Sequence, residues 1–560
     1  MFHWIGKQAR YAKIRGQQNK LRNGFPPPAS SGPADSSAST SAGDRARTDL
    51  TRASERLDLP SGTPETVQST LAANEEALRG MAGNHDSMLF RRFQAGRHSK
   101  RRVLLAAVNG IVDKAVLNEL VIGPLMNTEL PEPGDGTAVF LQDSVLAVVD
   151  IQITRDMRLL TETMLHGDAA LFIEGEEEAL LIPAASWKTR AIEQPLSETV
   201  IRGPRDSFVE DLHTNLSLLR RRIQHPMLHM ETIVLGAMTQ TKIVLAFIQG
   251  IMNEDILEEV RRRLAGIKVD AILETGYIEQ YIEDAPFSLF PTIANTEKPD
   301  IVAARILEGR VAIFVDGTPI VMTVPDLLIS HFQVSEDYYA RPFYASLMRL
   351  LRILSFFTTI MLPGVFLAVQ YYHPILIPYS LLVSLSKARE GVPFQLYIEV
   401  IVMILVFEVI REAGIRMPRP IGQAISIVGA IILGQAAVEA GLVGLPVVVV
   451  VAFAGISTFL VNSLVEPISI LRLIFAIAGA TLGIYGILLL GMIVVTHLAS
   501  LRSFGIPYAA PLFPIQWSDW KDTILRMPFR LQWKRPAALK PADLVRQKRG
   551  GKADGNPKKR

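Results

Sequence analysis

The chain contains no cysteine among its 560 residues. Disulfides, thiolate metal sites and cysteine nucleophiles are therefore excluded. No secretory signal is visible at its start, and none is expected. The N-terminal run MFHWIGKQARYAKIRGQQNKLR is basic but has no apolar core of the required length. The soluble N-terminal half is therefore expected never to be exported. No stretch of that half resembles a phosphate loop, a zinc-ligand spacing or a nucleophile elbow. Neither His166 nor His213 sits in a motif. His225 and His229 stand four apart in HPMLH, but Pro226 intervenes and a third ligand is missing. No enzyme activity, metal or cofactor is expected. The net charge is only +3, too small to imply a nucleic-acid partner, and none is expected.

What is present changes along the chain. A polar head covers residues 1–101. Its stretch NGFPPPASSGPADSSASTSAG is rich in Pro, Ser, Gly and Ala and cannot bury a core, so the head is expected to be disordered. Lys7, Arg10, Lys13, Arg15, Lys20 and Arg22 precede it with no acidic residue among them. Two readings stand for these cations: attraction to an anionic partner such as lipid or nucleic acid, or a solvated tail.

An α/β pattern follows. Helical periodicity in FVEDLHTNLSLLRRRI and NEDILEEVRRRLAGI alternates with short β-rich runs such as KIVLAFI and VAIFV. Two stretches share a layout, MLHGDAALFIEGEEEALLIP and ILEGRVAIFVDGTPIVMTVP. Each runs from a helix end at Gly through an apolar strand, turns at an acidic residue followed by Gly, and returns as a strand ending in Pro. Gly175 and Gly317 suit the positive φ of tight hairpins. Asp316 reads as a turn residue, and Glu174, Glu176, Glu177 and Glu178 as a solvated turn. The expectation is two related subdomains, 102–200 and 226–335, with independent hairpins as the alternative. A linker helix (201–225) joins them and is expected to start near Asp206 or Ser207. Arg202 and Arg205 stand before it. They suit either an anion at a helix N-terminus or pairing with Glu198, Glu210 or Asp211.

From Ile353 to Leu498 the chain is mostly apolar. Five stretches, 353–371, 396–410, 422–440, 444–462 and 468–498, are measured against the roughly 20 apolar residues a bilayer span requires. A sixth, 374–386, is short, holds two prolines and suits an interfacial or re-entrant segment. Arginines before the first stretch, in REAGIRMPRPIG and after Leu498 mark cytoplasmic flanks. Between such flanks the number of crossings must be even. The stretches after 422 number three, so either one is re-entrant or 468–498 folds back at its glycines.

Carboxylates interrupt this region. Glu399 and Glu408 lie about 14 Å apart along a helix and on opposite faces. Glu408 shares a face with Arg411 and Glu412, whereas Glu399 has no partner in its helix. It must be protonated, meet another helix or face water, or else lie near the outer surface. Gln435 and Glu439 form a second polar pair. These four are the candidate intramembrane polar or pore positions.

The ordered blocks ETVIRGPRDSFVEDLHTNLSLLRRRI, YIEQYIEDAPFSLFPTIANTEKPDIVAARILEGRVAIFVDGTPIVMTVP, SEDYYARPFYASLMRLLRILSFF, PFQLYIEVIVMILVFEVIREAGIRMPRPIGQAISIVGAIILGQAAVEAGLV and LASLRSFGIPY resemble the A subunit of GerA-type spore germinant receptors. The resemblance covers about residues 105 to 535. One departure is RGPRDSF, where the family more often has Glu and a small residue after RGPR. The resemblance implies an integral protein of the inner spore membrane with cytoplasmic N- and C-terminal regions. It implies a transporter-like B subunit and a lipoprotein C subunit as partners, a homo-oligomeric ring, and a nutrient-gated ion channel that triggers germination. A secondary transporter or a non-conducting signalling scaffold are the alternatives. The expected architecture is an α/β cytoplasmic two-subdomain module, an α-helical polytopic membrane domain (336–500) and a basic cytoplasmic tail (501–560).

Overall fold

The hairpin turns at Gly175 and Gly317 adopt φ of +88° and +90°, and they occupy the same place in two sheets. The computed structural model describes residues 64–547 apart from 83–87, 98–99, 132–135, 186–197, 199, 201 and 417–433. All of these belong to one unit, Leu59–Arg560.

The first domain opens with α1 (Leu71–Ala82), β1 (Met88–Ala95) and β2 (Arg101–Val108). Two helical stretches, 114–127 and 137–145, lead to β3 (Gln152–Thr154) and α2 (Met157–Leu165). The hairpin β4 (Ala169–Ile173) and β5 (Ala179–Ile182) closes it. The second domain repeats the plan. It contains α3 (Leu212–Arg222), β6 (Leu228–Leu235), β7 (Thr241–Ile248), α4 (Glu254–Ala265), α5 (Thr275–Ile282), β8 (Ala294–Thr296), α6 (Pro299–Leu307), β9 (Val311–Val315) and β10 (Val321–Val324). The strand orders are β1-β2-β4-β5-β3 and β6-β7-β9-β10-β8, antiparallel throughout.

Helices cover both faces of each sheet, which explains the unbroken apolar central strands. In β2, Val103, Leu105 and Ala107 enter one core while Leu104, Ala106 and Val108 enter the other. Strand β7 divides Ile243, Leu245 and Phe247 from Val244, Ala246 and Ile248 in the same way. A buried asparagine braces each domain entry. Asn74 Nδ2 donates to Gln68 O (2.6 Å), and its Oδ1 accepts from Gln68 N (2.8 Å). Asn215 makes the same two bonds with Val209 (2.5 and 2.7 Å).

Three expectations are corrected. The polar head does not extend to residue 101, because α1 and β1 belong to the first domain. Strand β1 is an edge strand with exposed Arg91 and Arg92, so its composition reads as head, yet all eight residues pair with β2. Helix α3 starts at Leu212, not near Asp206. Asp211 caps it by accepting from Thr214 N (2.9 Å), while Asp206 pairs with Arg222 (2.5 Å). Residues 501–547 form a packed segment, where the sequence reads only as a basic tail. Two of their arginines turn inward: Arg526 donates to Tyr338 O and Ala340 O, and Arg535 to Leu307 O and Asp543.

The apolar region holds α7 (Pro342–Tyr372), α8 (Tyr379–Lys387), α9 (Leu396–Arg416), α10 (Leu445–Thr458) and α11 (Val465–Ser500). Helix α8 buries no residue. Among the described residues, Pro342–Tyr372 and the run Leu445–Ser500 are long and apolar enough to cross a membrane. Helix α11 reverses at Gly483, where φ is +65°. A Cβ on Gly486 would lie 2.5 Å from Ala478 O, whereas a straight helix separates residues eight apart by about 12 Å. The fold-back alternative is therefore the one the chain adopts. Its two legs begin and end beside the second domain: Leu464, Ile468, Leu498 and Leu501 share a core with Ile329 and Phe332. Helix α7 lies against the outgoing leg so closely that a Cβ on Gly479 would collide with Gly364 O. Most of the stretch 422–440 lies outside the described residues.

Candidate functional site: a polar joint at the base of the apolar helices

The first turns of α7 carry Arg349 and Arg352, two cations on one face. Arg349 is fully buried. Its Nε donates to Asp337 Oδ2 (2.9 Å), and its Nη1 to Asp522 Oδ1 (2.8 Å), Asp522 O (2.8 Å) and Thr523 O (3.2 Å). Arg352 holds both Asp337 oxygens at 2.8 Å and also donates to Phe332 O (2.9 Å). Only a guanidinium presents this planar fork of donors. Tyr338 OH donates to Asp522 Oδ2 (2.9 Å) and Gln333 Nε2 to Asp522 O (2.5 Å). Burial pushes the Asp522 carboxyl up, and Arg349 pulls against it. Burial likewise raises the Tyr338 phenol. One arginine thus ties three elements: the exit of the second domain, the first apolar helix and the C-terminal segment.

A second cluster lies at the end of β10. Asp326 is fully buried. It meets His331 Nε2 (2.9 Å) and Arg310 Nη1 (3.4 Å). Burial alone would raise its carboxyl, but His331, Arg305 and Arg310 outweigh it and hold the group at about 2. Its backbone N–H donates to Ser503 Oγ (2.9 Å), and Ser503 Oγ donates to Thr292 O (2.6 Å). Ser503 belongs to the small hairpin of β11 (Arg502–Ser503) and β12 (Ile506–Pro507) that follows α11. Phe504 N donates to Asp284 Oδ2 (2.6 Å), whose other oxygen pairs with Arg263 (2.7 Å). Both ends of the helical region are therefore bonded to the second domain, the first through buried charge and the second through the Asp326 backbone and the Asp284 carboxylate. Removing one partner of either cluster would leave a desolvated ion short of counter-charge, which is costly. Among the described residues, no group of three or more His, Cys, Asp or Glu is arranged to hold a metal.

The residues singled out by sequence fall elsewhere. Glu399 is buried at the start of α9. Arg389, in the preceding loop, donates to Glu399 Oε1 (2.5 Å), and Gly444 N, at the start of α10, donates to Oε2 (2.8 Å). The partner it lacks in its own helix is supplied by the loop and by a helix N-terminus. Glu408 pairs with Arg411 (2.6 Å), and also with the fully buried Arg472 of α11. Arg472 also stacks over the Phe407 ring at 5.3 Å. Gln435 Nε2 donates to Glu439 Oε1 (2.9 Å), and that pair is exposed. The fold brings Glu408 to Arg472 but does not gather the four positions at one place.

The Arg202 and Arg205 side chains are exposed. The Arg202 backbone N–H donates to Glu336 Oε1 (3.2 Å). Of the acids once matched to these arginines, Glu198 accepts from Thr296 Oγ1 (2.5 Å) and Asp211 caps α3. Asp316 and Gly317 dock their turn on the α3 entry: Leu212 N donates to Asp316 Oδ1 (3.4 Å), and Gly317 N to Glu210 O (2.9 Å). His229 stacks on Phe247 at 5.6 Å, and His225 Nδ1 accepts from Met227 N (3.2 Å).

Sequence reasoning missed Arg472, Asp337 and Asp522. Arg472 had a usable signal, a lone arginine inside ISILRLIFAIAG. The two aspartates had none, because each lies among other polar residues.

The family profile described as Bacillus/Clostridium GerA spore germination protein matches residues 76–538. Spore germination protein KA of Bacillus subtilis (strain 168) is 40% identical over 487 residues, spanning 86% of this chain and 89% of that protein. Spore germination protein B1 of the same strain is 36% identical over 490 residues, spanning 86% and 100%. The crystal structure of the N-terminal domain of the A subunit of the Bacillus megaterium spore germinant receptor GerK3 is 29% identical. It covers 48% of this chain and 98% of its own, with a TM-score of 0.35. With most of its length inside the profile and curated relatives at this identity, the chain belongs to the GerA family of spore germination proteins.

Proposed function

We propose that this chain is the A-type subunit of a nutrient receptor in the inner spore membrane, and that it triggers germination as part of a germinant-gated ion channel. Its partners in this reading are a transporter-like B subunit, a lipoprotein C subunit and further copies of itself. Nutrient capture in the partner shifts a closed-to-open equilibrium here by binding the two states differently, and monovalent cations leave. The observation that carries the reading is Arg349, which bonds the first apolar helix to the second domain and to the C-terminal segment at once. Movement of the α/β domains thereby reaches both ends of the helical region. Both ends pack on one domain, which favours an even number of crossings with the N- and C-terminal regions cytoplasmic. Glu399 and Glu408 act as ties between helices in this scheme, and the exposed pair Gln435 and Glu439 is the better candidate for a lumen.

A second reading, the non-conducting scaffold, is favoured by the neutralisation of Glu399 and Glu408 within the chain. The native mass of the detergent-solubilised complex, with B and C subunits co-expressed, separates the two. Several copies of this chain per complex, together with nutrient-dependent potassium efflux from proteoliposomes, support the channel. A single copy without efflux supports the scaffold.

A further inference from the structure

The C-terminal segment 511–531 has two unlike sides. Its inward side is polar. Asp522 bonds Arg349 and Tyr338, Asp519 Oδ2 accepts from Ala538 N (2.9 Å), and Arg526 donates to backbone carbonyls. Its outward side is apolar. Phe513, Ile515, Trp517, Leu525, Phe529 and Leu531 are between 44% and 73% exposed. So many large apolar side chains within nineteen residues mark an interaction surface. The charges divide in the same sense. The carboxylates of Asp519 and Asp522 are engaged inward, whereas Lys521, Arg530 and the adjacent Lys534 are exposed.

The height of this surface follows from Arg349. Helix α7 rises about 33 Å between Arg349 and the half-exposed Tyr371, at 1.5 Å per residue. That is close to the roughly 30 Å hydrocarbon thickness of a bilayer. Arg349 therefore marks one boundary of the span, and the Arg349–Asp522 bond holds the segment at that level. The 284–292 loop of the second domain carries a matching feature. Phe287 is 100% exposed, and the neighbouring Ser288 Oγ contacts His497 Nε2 (2.9 Å) near the end of α11. Aromatic side chains interleaved with lysine and arginine at a span boundary are the chemistry of the headgroup layer.

We propose that residues 513–531 form an interfacial anchor that seats in the headgroup layer of an anionic bilayer and holds the second domain against the membrane. The inference rests on the reading that α7 and α11 span that bilayer. The anchor makes the membrane surface part of the joint, since Asp522 cannot leave Arg349 without lifting Trp517 and Phe529 from lipid.

The absence of cysteine permits a direct test. Trp517→Cys, Met492→Cys and Met238→Cys, each in the full-length chain, are spin-labelled in proteoliposomes of phosphatidylcholine with and without phosphatidylglycerol. Accessibility to oxygen and to a nickel chelate is compared. Met492 is exposed on the second leg of α11 and Met238 in the β6–β7 turn, so they report hydrocarbon and water. At 517 the oxygen-to-nickel ratio is expected several-fold above that at 238, below that at 492, and lower when phosphatidylglycerol is omitted. A ratio at 517 equal to that at 238 overturns the anchor while a hydrocarbon value at 492 leaves the spanning reading intact. Inaccessibility of 517 to both reagents also overturns it and points to a protein neighbour. A water-like value at 492 removes the spanning reading and the anchor with it. Phe513→Cys serves as a second reporter should Trp517→Cys fail to fold.

Discussion

The two sheet domains are built alike and attached differently. Their turn glycines, Gly175 and Gly317, and the prolines that close their hairpins, Pro183 and Pro325, stand 142 residues apart in both cases. Strand order, central register and the buried asparagine brace are common to both. The residue after each proline differs. It is Ala184 in the first domain and Asp326 in the second. The position before α2 and α6 differs as well. Asp156 caps α2 by accepting from Arg158 N (2.8 Å). At α6 the same place is held by Lys298, a poor partner for a helix N-terminus. Buried Lys298 instead reaches Pro204 O (3.3 Å), Ser335 Oγ (3.2 Å) and Asp300 (3.5 Å), joining the linker to the turn before α7. The two domains thus share one sheet plan and differ at one end by a few charged residues.

The comparison is broken most severely by exchanging its distinguishing pair. Asp326→Ala is expected to cost about 3–5 kcal/mol, because Arg310 and His331 lose a buried counter-charge. The reciprocal Ala184→Asp, which puts a carboxylate at a buried position, is expected to cost several kcal/mol too. Denaturant unfolding of the solubilised chain measures both, and a neutral Asp326→Ala would remove the electrostatic account of the joint. The pH dependence has a definite sign. The Asp326 carboxyl lies at about 2 when folded, below its ordinary value near 3.9. Its contribution, about 2–3 kcal/mol, is therefore full above that ordinary value and lost as pH falls toward 2. The stability gap between wild type and Asp326→Ala should narrow as pH falls through that interval.

Next in size is Arg349→Met. It takes the guanidinium from buried Asp522, while Arg352 still holds Asp337, and should cost about 3 kcal/mol. The C-terminal segment should then become cleavable in limited proteolysis while the first domain keeps its resistance. Asn74→Ala and Asn215→Ala test the shared scaffold. Each removes two bonds to buried backbone, at about 1–3 kcal/mol, and the two losses should agree within about 0.5 kcal/mol. Amide exchange at Gln68 and Val209 reports them separately. The smallest effect belongs to Glu231→Gln, which removes an exposed pair with Arg261 on β6. Its cost should not exceed about 1 kcal/mol and should vanish in high salt.

Much of the scaffold was legible in local sequence. Gly175 and Gly317 announce turns because only glycine takes their positive φ without strain. The runs RVLLAAV and KIVLAFI announce strands covered on both faces. The glycines of 468–498 allowed the reversal that occurs at Gly483. Strand β1 was lost because an edge strand exposes its arginines, and only pairing with β2 separates it from the polar head. The α3 start was misplaced because Asp206, Ser207 and Asp211 are all competent caps.

The chain's own order of residues determined the repeat, the apolar legs and the absence of thiol, metal-ligand and nucleophile patterns. These depend on φ preferences and burial periodicity, which are properties of neighbours in sequence. The tertiary structure alone decided which charge meets which. Arg349 and Asp522 are 173 residues apart, and Glu399 takes one partner from a loop and another from the start of a different helix. A buried ion requires a partner by its desolvation cost, but nothing in its local sequence says from where, because that choice is made by packing.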